Sequence, residues 1–302
     1  MPYPGQMIGI SHAILVSVYG IYIGGDAGGS TASSIKHNLT SDAMAGAGGS
    51  LSAARSPSWG VSTNTIGYAG QGYSGVYSTV VEKYTFSTDG VASGTSLAYG
   101  MVNASAAGNG TYMICGAGNR GGGGGEYVVA RVEKYTFSGD TKVDGTSLNQ
   151  TADGRSAASN STKAVFLGGN PSPGNGSSYT FSSDVVATVT NYTGTNRFRA
   201  ATAGDGTKGY YMCGNTGSYS ALVDVYTFSA DTIAAGTTMS NAADTSQGAE
   251  CSTFAVKAGG YNGSNMSNVE KYLYSGGTVS AMTALTTARS SGAGLASAQS
   301  HY

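Results

Sequence analysis

Val81–Asp89 reads VEKYTFSTD, and the block returns as VEKYTFSGD (Val132–Asp140), SSYTFSSD (Ser177–Asp184), DVYTFSAD (Asp224–Asp231) and VEKYLYSGG (Val269–Gly277). A degenerate earlier copy, IKHNLTSD, occupies Ile35–Asp42. The last residues of these six copies lie 47, 51, 44, 47 and 46 positions apart. A second mark precedes each copy, an apolar run ending in glycine. The aligned glycines Gly24, Gly70, Gly116, Gly168, Gly214 and Gly259 are spaced by 46, 46, 52, 46 and 45. Two marks that keep one period define a repeat, and each unit of about 46 residues has the length of a four-stranded propeller blade. Within VEKYTFS, Glu82, Tyr84 and Phe86 alternate with Lys83 and Thr85, the period of a strand with unlike faces. The repeat tyrosines Tyr84, Tyr135, Tyr179, Tyr226 and Tyr272 share that strand position. A single blade cannot bury both of its faces, so the copies must stack around an axis. The expected fold is all-β, a six-bladed β-propeller.

The segments before the glycine marks are rich in small residues: SAARSPSWGVS, NASAAGNG, RSAASNS and RAATAGDG. Small side chains suit the innermost strand, where the blades crowd together, and glycine allows close backbone approach. Six units leave about 20 residues over, divided between the two chain ends. Two segments therefore compete for the innermost strand of the first blade. Ala288–Gln299 (ARSSGAGLASAQ) is small like the internal copies, whereas Ser11–Gly20 (SHAILVSVYG) is bulkier. The C-terminal segment is favoured, so that pairing of N- and C-terminal strands closes the ring. Residues 1–16 are then an apolar arm and 17–302 the propeller, and such an arm either packs on its own propeller or docks on a partner.

Composition agrees with short strands joined by turns. The chain of 302 residues has 49 Gly and 21 Tyr, and charged residues make up only 10%, against about 25% in ordinary domains. Fifteen Lys+Arg face 16 Asp+Glu; without a basic excess, phosphate backbones find no electrostatic footprint, and no nucleic-acid partner is expected. The apolar run Met7–Ile23 lacks a basic leader and is interrupted by Ser11, His12, Ser17 and Gly20. It reads neither as a signal peptide nor as a membrane span, so membrane insertion is not expected. Cys115, Cys213 and Cys251 are too scattered for a disulfide framework or a metal knuckle and read as buried small hydrophobes.

The last copy, AGGYNGSNMSNVEKYLYSGGTVSAMTALTTARSSGAG (Ala258–Gly294), resembles the kelch repeat: a glycine pair, a loop, a V-E-x-Y strand, a further strand and an Arg-bearing link. The link arginine recurs as Arg55, Arg155, Arg199 and Arg289, with Met101 and Asp244 at the corresponding places of other copies. The glycine pair is intact only at Gly24-Gly25, Gly168-Gly169 and Gly259-Gly260, and the kelch tryptophan is absent from the fourth strand. The resemblance covers nearly the whole chain and implies the propeller fold more than any activity.

Kelch-type oxidases hold copper through paired histidines, but His12, His37 and His301 share no repeat register. No metal, cofactor or catalytic residue is expected. Ser87–Ser96 (STDGVASGTS) approaches a sialidase box without its aromatic and reads as a strand-ending turn. Gly116–Tyr127 (GAGNRGGGGGEY) enters no helix and reads as a long loop, not a phosphate cradle. Glu82, Glu133, Asp224 and Glu270 keep one register and read as structural. Candidate binding residues are of two kinds. Arg55, Arg155, Arg199 and Arg289 could line one mouth and take carboxylate or phosphate, or else tie neighbouring blades together. Trp59, Tyr73, Tyr77, Tyr127 and the loop residue Arg120 could stack on sugars or on protein.

Degenerate V-E-K-Y-T-F-S repeats are similar to those of tailed-phage, cyanophage-like virion proteins. That resemblance implies a non-enzymatic tail, neck or fibre component located in the virion. Its partners would be other virion proteins, copies of itself and a host surface glycan. The alternatives are a secreted or surface carbohydrate-binding propeller of a bacterium and, third, a kelch-type oxidase or lyase.

Overall fold

The computed structural model describes residues 18–56, 59–121, 127–171, 174–190, 192 and 196–297. The arm expected over 1–16 lies outside them. Among the described residues every regular element is a strand, and no helix is long and apolar enough to cross a membrane.

The strands form six antiparallel four-stranded sheets and one small three-stranded sheet. Sheet I contains Ala293–Ala296, Tyr19–Ile23, Ser34–Asn38 and Ala43–Gly46, in that spatial order. Sheet II runs Trp59–Ser62, Ile66–Gly70, Val81–Thr85, Gly90–Ser93; sheet III runs Ser105–Gly108, Tyr112–Gly116, Val132–Thr136, Thr141–Asp144. Sheet IV runs Ser156–Ser159, Lys163–Leu167, Gly176–Thr180, Val185–Val189, and sheet V runs Ala201–Gly204, Lys208–Met212, Val223–Thr227, Thr232–Ala235. Sheet VI is Gln247–Glu250, Phe254–Ala258, Val269–Leu273 and Val279–Met282. The first strand of sheet I therefore comes from the C-terminal candidate: Ala293 pairs with Ile23 and Ala296 with Gly20. The repeat block is the third strand of every sheet.

No sheet has a core of its own. The buried apolar residues form clusters that each span two neighbouring sheets, from I–II (Ile21, Tyr84, Leu295) round to VI–I (Tyr22, Val256, Val269). The first strands touch in the same order, and that of VI touches that of I. Their small residues make this possible: a Cβ on Gly294 would run into the Gly248 carbonyl, and one on Gly248 into the Thr202 carbonyl. The architecture is all-β and propeller-like.

The repeat block acts between sheets. Its tyrosines donate to the aspartate that ends the block, as in Tyr84–Asp89 (2.6 Å), Tyr179–Asp184 (3.0 Å) and Tyr226–Asp231 (2.6 Å). Its lysines reach the aspartate of the next sheet: Lys36–Asp89 at 2.8 Å, Lys83–Asp140 at 2.7 Å and Lys134–Asp184 at 2.7 Å. Its acidic position is buried; Glu82 and Glu133 accept the backbone N–H of Ser52 (2.5 Å) and Ala98 (2.9 Å) in the link from the preceding sheet. The free cysteines are all buried.

The six glycine marks do not occupy one structural position. The residue after the second strand is left-handed in every sheet: Gly24, Gln71, Ala117, Gly168, Cys213 and Gly259, with φ between 53° and 67°. Gly70 and Gly116 therefore lie one position early and Gly214 one late. Backbone conformation sets this register, and three of the six positions hold a side chain in spite of the strain that φ > 0 imposes.

Candidate functional site

The links entering the first strands converge on one end of the axis. Two residues before the strand, Asn103, Gly154, Arg199, Thr245 and Ser291 have positive φ, between 49° and 66°. This turn aims one link at the next: Gly154 N–H donates to Asn103 O (3.0 Å), Arg199 N–H to Gly154 O (2.7 Å) and Ser291 N–H to Thr245 O (3.0 Å). They surround an axial cavity of about 230 Å³, lined by small or polar residues of all six sheets and by Trp59. Five-residue tip hairpins from the second-to-third strand connections stand around it, bridged at Asp26–Ser30, Tyr73–Tyr77, Asn215–Tyr219 and Tyr261–Asn265.

The expected arginine ring is not a solvent-facing set. Arg55 is buried and pairs with buried Glu82 at 2.5 Å. Arg289 is buried and donates to Ser33 O (3.0 Å), Tyr22 O (3.1 Å) and Gly24 O (3.3 Å). Arg155 is buried and donates to Gln150 O (3.1 Å) and Phe166 O (3.3 Å); desolvation pushes its guanidinium down to about 10. Only Arg199 is partly exposed, at 31%, and it pairs with Asp244 at 2.6 Å. Nor do the four share a register. The carbonyls of Arg55, Met101, Arg197, Ala243 and Arg289 accept the N–H of Gly25, Gly72, Gly169, Gly214 and Gly260, respectively, on the preceding sheet. That register is set four residues before the first strand, so the equivalent of Arg55 and Arg289 is Arg197, which the sequence reading passed over. Arg197 is buried and donates to Asp224 (2.6 Å) and Tyr211 O (2.7 Å), with its guanidinium 4.3 Å from the Tyr192 ring centre.

Trp59 is also buried, on the first strand of sheet II, and its indole N–H donates to Gln71 Oε1 at 2.9 Å. It lines the cavity wall but is not a loop aromatic. Tyr73, Tyr77, Arg120 and Tyr127 do come together. Tyr73 meets Tyr77 edge to face at 5.6 Å, Arg120 lies over Tyr99 at 4.0 Å and Tyr127 at 5.6 Å, and Tyr73 and Tyr127 are about half exposed. The glycine-rich loop is not wholly irregular: in the three-stranded sheet Asn119–Arg120 is the middle strand, paired with Met101–Val102 on one side and with Tyr127–Val128 on the other.

A second aromatic pair went unread in the sequence. Tyr219 and Tyr261, on the tips of sheets V and VI, meet edge to face at 5.9 Å. They flank a groove of about 450 Å³ that holds Asp26, Arg199, Asn215, Asp244 and Asn265. Burial raises the Asp244 carboxyl above its usual range, although Arg199, Asn215 and the Thr245 N–H oppose it. The signal was available in part, since both tyrosines occupy the ends of the five-residue tip that follows the glycine mark.

No protein-family model matches the sequence, and no curated protein matches it. Among solved structures, the one titled "Structure of YjhT" is similar in fold, with a TM-score of 0.66 at 14% identity. The match covers 80% of this chain and 87% of that one. At that identity the likeness extends to the propeller-like fold alone.

Proposed function

We propose that this chain is a six-bladed β-propeller, closed by pairing of its terminal strands, that serves as a non-enzymatic structural and adhesion component of a phage particle. In this reading it sits in the tail, neck or fibre and engages other virion proteins, copies of itself or a host surface. One observation carries the adhesive part. Among the described residues the exposed large hydrophobics are Tyr73, Val76, Tyr127, Val143, Val185, Tyr219, Leu222 and Tyr261. All except Val143 and Val185 lie in second-to-third strand connections, on the side of the axial mouth. Apolar groups gathered on one face of an otherwise polar surface mark an interaction site. The acidic residues of the repeat support a non-enzymatic role, since they are engaged in bonds between sheets. The virion setting rests on the likeness of the repeat block. Proteomics and electron microscopy of purified particles encoding this chain test it: the chain is expected in the tail density, and its absence from intact particles overturns the assignment.

A further inference from the structure

We infer that the groove between the tips of sheets V, VI and I, with the adjoining axial cavity, binds a neutral pyranose of a surface glycan. The inference rests on the adhesive reading above and deepens it.

Three features converge. The first is an aromatic platform: Tyr219 and Tyr261 are 40% and 39% exposed, close enough to touch at their edges, and open to the groove. Exposed tyrosine rings offer flat apolar faces to the C–H face of a sugar while their hydroxyls stay in water.

The second is a fixed polar wall. Asp244 Oδ2 accepts from Arg199 (2.6 Å) and Asn215 (3.3 Å), and Oδ1 accepts from Thr245 N–H (2.7 Å). Asp26 Oδ1 accepts from Asn265 (2.9 Å) and Gly28 N–H (2.9 Å). These planar groups are held in place before any ligand arrives, which lowers the ordering cost of binding. Two carboxylates face one guanidinium, so an anionic sugar meets net repulsion.

The third feature points to a ligand. Gln247, two residues beyond Thr245, lines the axial cavity and is 1% exposed. Neither its amide oxygen nor its amide nitrogen has a hydrogen-bond partner among the described residues. Buried polar groups are normally satisfied, and an unused donor beside an unused acceptor matches a hydroxyl, which is both. A cation offers no acceptor to the amide nitrogen, so the neutral polyol fits best. The groove volume of about 450 Å³ falls within the roughly 300–1,000 Å³ of small-molecule sites.

The test is saturation-transfer NMR on the full chain with methyl glycosides of glucose, galactose and mannose. Glucuronic acid and glucosamine serve as charged counterparts. At least one neutral glycoside is expected to bind, with Kd raised tenfold or more by Tyr261→Ala and by Gln247→Leu and unchanged by Val143→Ala, an exposed change on the fourth strand of sheet III. If Gln247→Leu fails to fold, Tyr219→Ala, an exposed change, replaces it. Failure of all three neutral glycosides, tighter binding of either charged sugar, or equal losses in Val143→Ala and Tyr261→Ala overturns the site. Sugar binding by a chain missing from particles would overturn the virion assignment alone. A chain found in particles but blind to all three glycosides would overturn the sugar site alone.

Discussion

The junction between sheets II and III and that between V and VI solve one problem with different parts. At II–III, Tyr68 packs on Phe137 and Tyr135 with ring centres 4.5 and 5.9 Å apart, and Lys83 reaches Asp140 outside them. At V–VI the aromatic layer is equally present, with Tyr210 stacked 4.6 Å from Tyr274 and 5.4 Å from Tyr272. The outer Lys–Asp clamp is missing there, because Val225 stands at the lysine position and Gly277 at the aspartate position. Junction IV–V is intermediate: Ser178 takes the lysine's place, and Lys163 of the adjacent strand pairs with Asp231 instead. The apolar layer is thus common to both junctions, and the ion pair is an outer addition that one of them does without.

The largest expected effect comes from breaking the common layer. Tyr210→Ala removes a 2% exposed ring that also donates to Asp205 at 2.9 Å. It should cost about 3–5 kcal/mol, as buried aromatic truncations do. A denaturant midpoint shift worth less than about 1 kcal/mol would show that the aromatic contacts do not hold V to VI. Next is the buried pair behind the outer clamp. Glu82→Ala leaves Arg55 without its carboxylate and Ser52 N–H without its acceptor, and removal of one member of a buried pair costs about 3 kcal/mol or more. A loss similar to that of an exposed pair would mean that water reaches Arg55. Lys83→Ala should cost only about 0.2–1 kcal/mol, since Asp140 is 36% exposed and solvent screens the pair.

The same comparison explains how far the sequence could be read. The block VEKYTFSxD was legible as a strand and turn because its last residue must be left-handed: Asp42, Asp89, Asp140, Asp184, Asp231 and Gly277 all have φ between 49° and 61°. Aspartate and glycine are the residues that tolerate this, so conformation and residue type agree. At the second mark they part. Gln71, Ala117 and Cys213 adopt φ > 0, and after Gln71 and Cys213 the next N–H is committed to the neighbouring sheet, Gly72 to Met101 O and Gly214 to Ala243 O. A reading by residue type therefore slid by one. In Asn196–Ala200 (NRFRA) two arginines stand two apart, and only the fold distinguishes buried Arg197 from partly exposed Arg199. Trp59 is hidden for a tertiary reason as well, since its ring fills the space left by Gly70. Tyr219 and Tyr261 lie 42 positions apart in the chain, and their meeting depends on how two sheets are placed about the axis.

The smallest effects sharpen the comparison most. Burial alone would raise the Asp89 carboxyl, but Lys36 and the Tyr84 hydroxyl outweigh it and hold it below the usual range; Asp140 is lowered in the same way by Lys83. A carboxyl depressed in the folded state stabilises fully above its unfolded pKa of about 3.9, and that stability is lost as pH falls through the lower folded value. Junctions with a clamp should therefore lose its contribution below about pH 4, a loss that V–VI, which lacks the clamp, does not share. The double change Val225→Lys with Gly277→Asp carries the clamp to V–VI. Gly277 already has φ 61°, close to the 49–55° of the repeat aspartates, so the turn accepts aspartate. The lysine stem can cover the half-buried surface where Val225 now packs, leaving its ammonium in water. A double-mutant cycle should give a favourable coupling of about 0.2–1 kcal/mol at pH 7. The coupling should fade in 1 M salt and vanish at pH 3, where the new carboxyl is protonated. No coupling at pH 7 would mean that the clamps seen at the other junctions follow from sheet placement and contribute nothing to holding the sheets together.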